Sequence, residues 1–301
     1  MLDFKMADDA IYFVPLGGCG VFGENMSLYG YRDQWIMVDC GSGFADESVP
    51  GVEILLPDPD FAVSLGDKLL GIVLTHAHED HIGAVKYLWP RLQKPLYATP
   101  FTAARLQQAV SEQSWGNQTR LQKVTPGTPF CLGPFSVDFI PMAHSIPEAN
   151  AAAITVEGVG TVLHTGDWKM DPDPLEGDVT DEAALQRLGD TGVLAAVGDS
   201  TNAMVPGHSG SERAVERALT DLFGEFKGKV VLSCFSTNVA RFRSVYTAAK
   251  ANGRHVALVG RSMWRTDDAA RACGYLKGIP PFIDEDGAGG IPDSKIVYIC
   301  T

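Results

Sequence analysis

Residues His76 to His81 place three imidazoles and two carboxylates within six positions, in the order His-Ala-His-Glu-Asp-His. The chain has only seven histidines in 301 residues, so a chance cluster on a polar loop is a poor explanation. Neutral imidazole together with carboxylate suits zinc, manganese or iron. This set of ligands favours two metal ions bridged by a carboxylate and a hydroxide.

The apolar segment 69–75 directly precedes the cluster and is typical of a buried strand. Alternate side chains of an extended chain share a face, so His76 and His78 should project together. Asp80 and His81 lie further along the turn and should point at a second metal position. A helix is predicted to begin at the small pair Gly83-Ala84.

Further candidate ligands sit at the ends of other predicted strands. His144 and Asp167 each end such a strand, where a rigid sheet could present them to a metal. Asp39 also ends a strand and could hold a ligand imidazole in orientation. Taken singly, a histidine or aspartate in such a position is more often structural than a ligand. His164, inside its strand, is interpreted as structural.

Residues 18–23 match the G-x-G-x-x-G pattern of dinucleotide-binding loops. Such a loop must lead into a helix whose N-terminus meets the pyrophosphate. Residues 25–31 have the pattern of a strand instead. We therefore expect these glycines to form a tight turn beneath the metal site.

The composition, with 45% hydrophobic residues, is that of an ordinary globular protein. No apolar stretch approaches the roughly 18 to 20 residues needed to span a bilayer. Residues 1–5 lack the layout of a signal peptide, so we expect a cytoplasmic protein. The six cysteines are scattered without a C-x-x-C pair and are predicted to be mostly reduced core thiols.

Taken alone, the net charge of −13 argues against a nucleic-acid partner, but the charges are unevenly distributed along the chain. Residues 230–280 contain eight basic and two acidic side chains, a local net charge of +6, which leaves −19 for the rest of the chain. This asymmetry is compatible with a polyanion binding to one module. A solvated basic face is an equally simple explanation.

Predicted strands come first in quick succession, and helices are interleaved later. This order indicates an α/β sandwich whose functional residues lie on loops at one edge of the sheet. From about residue 210 the pattern becomes a strict β-α-β alternation. It predicts a parallel sheet, and hence a second module beginning near residue 205.

The ordered set Asp39, His76-x-His78-x-Asp80-His81, His144 and Asp167 resembles the metallo-β-lactamase superfamily. Segments 198–202, 235–241 and 260–263 are similar to the β-CASP insert of the ribonuclease J family, and 144–148 is similar to that family's third motif. The resemblance covers nearly the whole chain. It implies an α/β fold in which a metallo-β-lactamase αββα sandwich (its first part, residues 1–204) carries an inserted, incomplete β-CASP parallel α/β module (residues 205–301).

The resemblance implies two divalent metal ions, zinc or alternatively manganese. One would be held by His76, His78 and His144, and the other by Asp80, His81 and Asp167, with Asp167 bridging. A zinc-activated hydroxide would attack the phosphorus. The implied catalytic residues are Asp80, His81 and Asp199. The residues implied to bind RNA phosphates, including a 5′-terminal monophosphate, are Ser236, Asn238, Arg241, Arg261 and Ser262.

The implied function is that of a metal-dependent ribonuclease, both 5′→3′ exonucleolytic and endonucleolytic, in RNA processing and decay. The family has a further histidine motif beyond the β-CASP module, whereas no histidine follows residue 255 here. We therefore expect a fragment of a longer protein, not a complete enzyme by itself, and a homo-oligomer when full length. Two alternatives stay open: a small-molecule hydrolase such as a thiolesterase or lactonase, and a non-catalytic RNA-binding protein.

Overall fold

The computed structural model describes residues 6–301, and the expectation for residues 1–5 lies outside this range. Contacts between Cα atoms divide the chain into two compact units. Unit 1 contains the described residues up to 141, together with 149–168 and 181–205. Unit 2 contains residues 142–148, 169–180 and 206–301. The sequence-based boundary between residues 204 and 205 stays a prediction.

Unit 1 is built from two sheets and short helices. Its strands are β1 (Tyr12–Gly17), β2 (Met26–Tyr31), β3 (Gln34–Val38), β4 (Gly43–Phe44), β5 (Ile54–Leu55), β6 (Leu69–Val73), β7 (Leu96–Ala98), β8 (Leu121–Lys123), β9 (Phe130–Leu132), β10 (Phe135–Met142), β11 (Ala149–Val156), β12 (Gly160–His164) and β13 (Ala195–Val197). Its helices are α1 (Asp60–Ser64), α2 (Glu79–Ile82), α3 (Val85–Leu92), α4 (Pro100–Val110) and α5 (Glu182–Thr191).

The first sheet has the order β1-β2-β3-β6-β7-β8, and the second has the order β13-β12-β11-β10-β9. Strands β1 to β3 are antiparallel neighbours, whereas β3, β6, β7 and β8 run parallel. A small antiparallel pair, β4 and β5, lies outside both sheets. Because β3 and β6 are parallel, their carboxyl ends lie at one sheet edge.

The core of unit 1 lies between its two sheets. Tyr29 and Ile36 enter it from the first sheet, while Phe135 and Phe139 enter it from the second, and all four are at most 1% exposed. Burying such side chains stabilises each by about 1.5–3 kcal/mol relative to leaving it in water. The two sheets therefore form the sandwich that the sequence predicts.

Unit 2 contains a parallel α/β module. Its strands are β14 (Val230–Ser233), β15 (His255–Leu258) and β16 (Ile296–Cys300), and its helices are α6 (Glu212–Glu225), α7 (Val239–Ala251), α8 (Arg261–Ala272) and α9 (Glu285–Ala288). The sheet order is β14-β16-β15, with both pairs parallel. The predicted parallel sheet is thus confirmed. Helix α7 buries Phe242 and Val245 as part of the module's core.

One expectation from sequence needs correction. The thiols are not mostly core groups: Cys40 is buried, but Cys19 and Cys131 are exposed and the other three are intermediate. A cysteine in an apolar sequence can still face solvent, because neighbouring residues of a strand point to opposite faces. The helix predicted at Gly83-Ala84 is confirmed as α3, which begins at Val85 with Ala84 as its N-cap, and the short helix α2, which contains Asp80 and His81, precedes it. Over the described residues, no helix combines the length and the apolar character needed to span a membrane.

Candidate metal centre

The histidine cluster follows β6 and runs into α2. His76 is fully buried, and His78 is partly exposed and has an extended backbone immediately before α2. His76 Nε2 and His78 Nδ1 lie 3.1 Å apart. The two imidazoles therefore share one side of the loop, and α2 then presents Asp80 and His81.

Within unit 1 the structure brings these side chains together around Asp167, which follows β12 in the second sheet. Ligand atoms of His76, His78 and Asp167 lie within 4.8 Å of one another, and so do those of Asp80, His81 and Asp167. Asp167 Oδ2 is 4.0 Å from His76 Nε2, whereas Asp167 Oδ1 is 3.2 Å from His81 Nε2. The two carboxylate oxygens thus face different imidazoles. Imidazole nitrogens and carboxylate oxygens at this spacing fit a pair of divalent metal ions.

Asp39 holds His81 in a fixed orientation. Its Oδ2 atom lies 2.7 Å from His81 Nδ1, and its Oδ1 atom accepts a hydrogen bond from the Thr75 backbone N–H at 2.8 Å. Asp39 is fully buried and has a φ of 62°, a left-handed conformation that aspartate tolerates. Because Asp39 engages Nδ1, Nε2 is the nitrogen of His81 that faces the carboxylates of Asp80 and Asp167.

Asn25 supports the same region, although no sequence pattern singled it out. Its side-chain amide donates to the Asp80 carbonyl at 3.0 Å and lies 3.1 Å from His81 Nε2. Gly41 passes so close to this turn that a Cβ atom there would lie 1.6 Å from the Asp80 carbonyl oxygen. Only glycine allows this approach, so Gly41 fixes how closely the β3 loop packs beneath α2.

The carboxylates around His81 set its charge. Burial disfavours the imidazolium, but the carboxylates of Asp39, Asp167 and Asp80 outweigh burial and raise the pKa of His81 well above its usual value. Burial and the nearby Asp167 raise the pKa of Asp80, while His81 opposes them. The site therefore concentrates negative charge in a confined space, which favours cation binding.

Asp199 lines a cavity of about 370 Å³ that also contains Asp80, His81 and Asp167. It follows β13, and its Oδ1 atom accepts hydrogen bonds from the backbone and hydroxyl of Thr201 at 2.8 and 2.6 Å. His164 also lines this cavity, where its Nδ1 atom lies 2.9 Å from the Tyr29 hydroxyl. Burial lowers the pKa of His164. The contact with the buried Tyr29 is compatible with the structural role expected from the sequence, which stays a prediction.

Residues 18–23 line the same cavity. The chain continues from them into strand β2 rather than a helix, so the dinucleotide-binding pattern has no structural counterpart here. The loop is also more exposed than a turn packed beneath the site would be, because Val21 and Phe22 are open to solvent.

The remaining predicted residues belong to unit 2. His144 lies two residues past the end of β10 and is partly buried. Asn238 caps α7, because its Oδ1 atom accepts the Arg241 N–H at 2.9 Å. Arg261 and Ser262 form the first turn of α8. Ser236 lies between β14 and α7.

The local excess of basic residues is partly neutralised inside unit 2. Arg241 pairs with Glu212 at 3.3 Å, Arg271 pairs with Asp267 at 2.9 Å, and Arg243 pairs with Glu176. Arg254 is buried and donates to backbone carbonyls such as that of Gly228. Counting charges along the sequence therefore overstates the cationic surface, whereas Arg261 remains exposed.

The chain matches two protein-family models. The "Beta-lactamase superfamily domain" matches residues 34–226, and the "Ribonuclease J, beta-CASP domain" matches residues 227–301. This chain belongs to the β-lactamase superfamily, in its ribonuclease J branch. The first of these matches spans the strand ends that carry the metal-ligand candidates of unit 1.

Relatives in the ribonuclease J branch support this assignment. The chain is 45% identical to Ribonuclease J of Sinorhizobium meliloti over 298 residues, which is 98% of this chain and 53% of the relative. It is 36% identical to Ribonuclease J of Helicobacter pylori (strain ATCC 700392 / 26695), covering 97% of this chain and 42% of the relative. The chain thus spans about half the length of the curated relatives that it matches.

A solved structure of a protein of unknown function from Enterococcus faecalis V583 shares the fold. Its TM-score is 0.67 at 18% sequence identity, and the match covers 96% of this chain and 76% of that protein. The identity is low, so this likeness shows the architecture alone.

Proposed function

We propose that this chain carries the catalytic centre of a metal-dependent ribonuclease that hydrolyses phosphodiester bonds in RNA processing and decay. The observation that carries the proposal is the arrangement of His76, His78, Asp80 and His81 around the shared Asp167. The β-CASP match and the relatives named Ribonuclease J supply the substrate class.

We assign His76, His78 and His144 to one divalent ion, and Asp80, His81 and Asp167 to the other, with Asp167 shared. The distances within unit 1 support every member of this set except His144. His144 is assigned from its place just beyond β10 and from the resemblance of its segment to the family's third motif. Zinc is the proposed native metal, with manganese as the alternative, because the ligands combine imidazoles and carboxylates.

A bound metal pair supplies Lewis-acid activation of water and of the phosphate. The protein's own residues have separate tasks around it. Asp39 fixes the ring orientation of His81 through Nδ1, and the Asp80 carboxylate is assigned to accept a proton from the attacking water. Asp199 lines the same cavity, where Thr201 donates hydrogen bonds to its carboxylate, and is assigned to orient the reacting groups.

Unit 2 is assigned to hold the RNA backbone. Ser236 and Asn238 follow β14, and Arg261 and Ser262 follow β15, so all four lie beyond the carboxyl ends of parallel strands. Ligands of open α/β sheets bind at this edge. The exposed Arg261 suits a phosphate because its planar guanidinium can donate two parallel hydrogen bonds. Arg241 is a weaker candidate, since Glu212 already engages it.

The proposed substrate end is a 5′-monophosphate, and the proposed modes are 5′→3′ exonucleolytic and endonucleolytic cleavage. A cytoplasmic location and a homo-oligomeric complete protein stay predictions from the sequence.

The test is hydrolysis of 5′-monophosphorylated single-stranded RNA by the natural full-length protein loaded with zinc or manganese. We expect cleavage that His76→Ala abolishes and that Arg261→Ala slows at low RNA concentration, with Arg32→Ala, an exposed arginine of unit 1, as the matched control. Metal-loaded protein that leaves this RNA intact would contradict the proposal. RNA binding without cleavage in both wild type and His76→Ala would indicate a non-catalytic binding protein.

A further inference from the structure

The loop formed by residues 18–23 exposes apolar side chains beside the candidate metal centre. Phe22 is 81% exposed and Val21 is 60% exposed. Both line the cavity that also contains Asp80, His81 and Asp167. A ring this exposed contributes little to the folded core, and its place beside the cavity leaves it accessible to whatever the cavity binds.

The base of the loop packs closely against neighbouring backbone and side-chain atoms. Gly18 and Gly23 adopt φ values of 84° and 93°, which other residues rarely adopt. A Cβ atom at Gly18 would lie 2.4 Å from the Asn25 side-chain oxygen, and one at Gly23 would lie 3.2 Å from the Gly43 Cα. Asn25 in turn bonds to the Asp80 carbonyl. The base of the loop is therefore held against the turn that carries the metal ligands, while its tip projects Phe22.

The cavity that Phe22 borders has room for one part of a flexible polymer. Its volume of about 370 Å³ lies at the small end of the range for ligand sites. The segment Asp199-Ser200-Thr201 lines the same cavity and offers hydroxyl and backbone groups. An aromatic ring beside polar groups and metal ligands is the combination by which proteins hold unpaired bases next to their phosphates.

We propose that Phe22 is a stacking platform for one base of single-stranded RNA whose neighbouring phosphate enters the metal cavity. This inference rests on the proposed ribonuclease function and deepens it, because it makes an unpaired base a requirement of the site. A base in a duplex is stacked on both faces and cannot use the platform without being extruded. Since every base has a π-face, the platform selects for single strands without selecting a sequence.

The test measures binding of a short single-stranded RNA with phosphorothioate linkages, which slow hydrolysis, to the metal-loaded natural full-length protein. Phe22→Ala should weaken binding about 5- to 100-fold, the range expected for loss of one base–aromatic stack. Phe22→Trp should restore it. The matched control is Phe44→Ala, because Phe44 is 78% exposed in the same unit and is not among the residues that line this cavity.

Two further measurements distinguish the loss of a stacking contact from a general disturbance of the protein's structure. The slope of log Kd against log salt should be unchanged in Phe22→Ala, since no phosphate contact is lost. A series of probes, each with one abasic nucleotide at a different position, should reveal one position that matters. An abasic nucleotide there should weaken binding to wild type as much as Phe22→Ala does, and it should not weaken binding to Phe22→Ala further. Equal binding by wild type and Phe22→Ala, or no such position, overturns the inference.

The outcomes for the two proposals are distinguishable. If unmodified RNA is cleaved and Phe22→Ala binds as well as wild type, the platform is wrong and the ribonuclease stands. If RNA binds through Phe22 but is never cleaved, the ribonuclease is wrong and the platform stands. If the metal-loaded protein binds no single-stranded RNA, both are wrong.

Discussion

At the scale of single residues, the metal centre depends on side chains that touch one another across the two sheets of unit 1. His76 and His81 come from the β6 loop and α2, and Asp167 comes from the end of β12. The carboxylate of Asp167 joins them, with one oxygen near each imidazole. Loss of any one member would leave the others as uncompensated buried polar groups.

Asp39→Asn tests how far the site depends on orientation. The amide cannot accept a hydrogen bond from His81 through its –NH₂ group, so the imidazole loses its fixed tautomer and position. We expect metal affinity to fall about 10- to 100-fold, as is typical for partners that orient ligand histidines. Competition with a chromophoric chelator measures the affinity.

The matched control is Asp33→Asn, an exposed carboxylate that pairs with Lys68 in the same unit. It should bind metal like wild type. Unchanged metal affinity in Asp39→Asn would show that His81 keeps its orientation without this carboxylate.

The residue types of the centre could be predicted because histidine is rare in the chain and four of the candidate ligands fall within six positions. Their geometry could not be predicted to the same degree. Asn25 carries no spacing signal, and its contact with His81 joins residues 56 positions apart. The exposure of Phe22 could likewise not be predicted, because an apolar residue in a glycine-rich segment is typical of a packed turn.

At the scale of elements, strand ends position the candidate functional side chains, and helix caps position the adjoining loops. The alternation of apolar residues predicted the parallel sheet of unit 2, where the pattern is dense and repeated. The start of α8 carries no capping signal in the sequence, because the helix follows Gly260 and no side chain caps its first turn. Ion pairs such as Arg241 with Glu212 were unpredictable because they join residues from different helices.

Asn238 offers a test that separates helix capping from RNA binding. Asn238→Ala removes the acceptor for the Arg241 N–H, and we expect it to destabilise the protein by about 1 kcal/mol. Asn238→Asp keeps an acceptor at the positive end of the helix and should retain stability. The added charge should nevertheless weaken RNA binding by repelling phosphate.

Denaturant unfolding and RNA-binding titrations on the same preparations measure the two effects. Ser211→Ala, which removes the cap of α6, is the control for a capping loss without an assigned RNA contact. Normal RNA binding by Asn238→Asp would show that Asn238 does not bind the RNA phosphates.

At the scale of the whole molecule, the candidate metal centre joins polar side chains from the two sheets of unit 1, and Tyr29 and Phe139 join the same sheets in the apolar core. A ligand that binds only the folded protein stabilises it by an amount set by its concentration relative to Kd. At a hundredfold excess over Kd this is about 2.7 kcal/mol for each site. Metal should therefore stabilise the fold as well as enable chemistry.

Thermal unfolding with zinc and with a chelator checks this coupling. We expect the metal-dependent rise in Tm to be largest in wild type and to shrink strongly in Asp167→Ala, because Asp167 is the ligand shared by both groups. Asp173→Ala, an exposed carboxylate of unit 2 that pairs with Arg213, should keep the full rise. An equal rise in Asp167→Ala would mean that metal binds elsewhere.

The most direct test of the central claim is RNA hydrolysis by the metal-free natural full-length protein as zinc or manganese is added in measured equivalents. We expect no cleavage without metal, a rise that reaches its plateau at about two equivalents per chain, and no cleavage at any ratio for Asp167→Ala. Cleavage in the absence of metal, or two bound equivalents that leave the RNA intact, would contradict the claim.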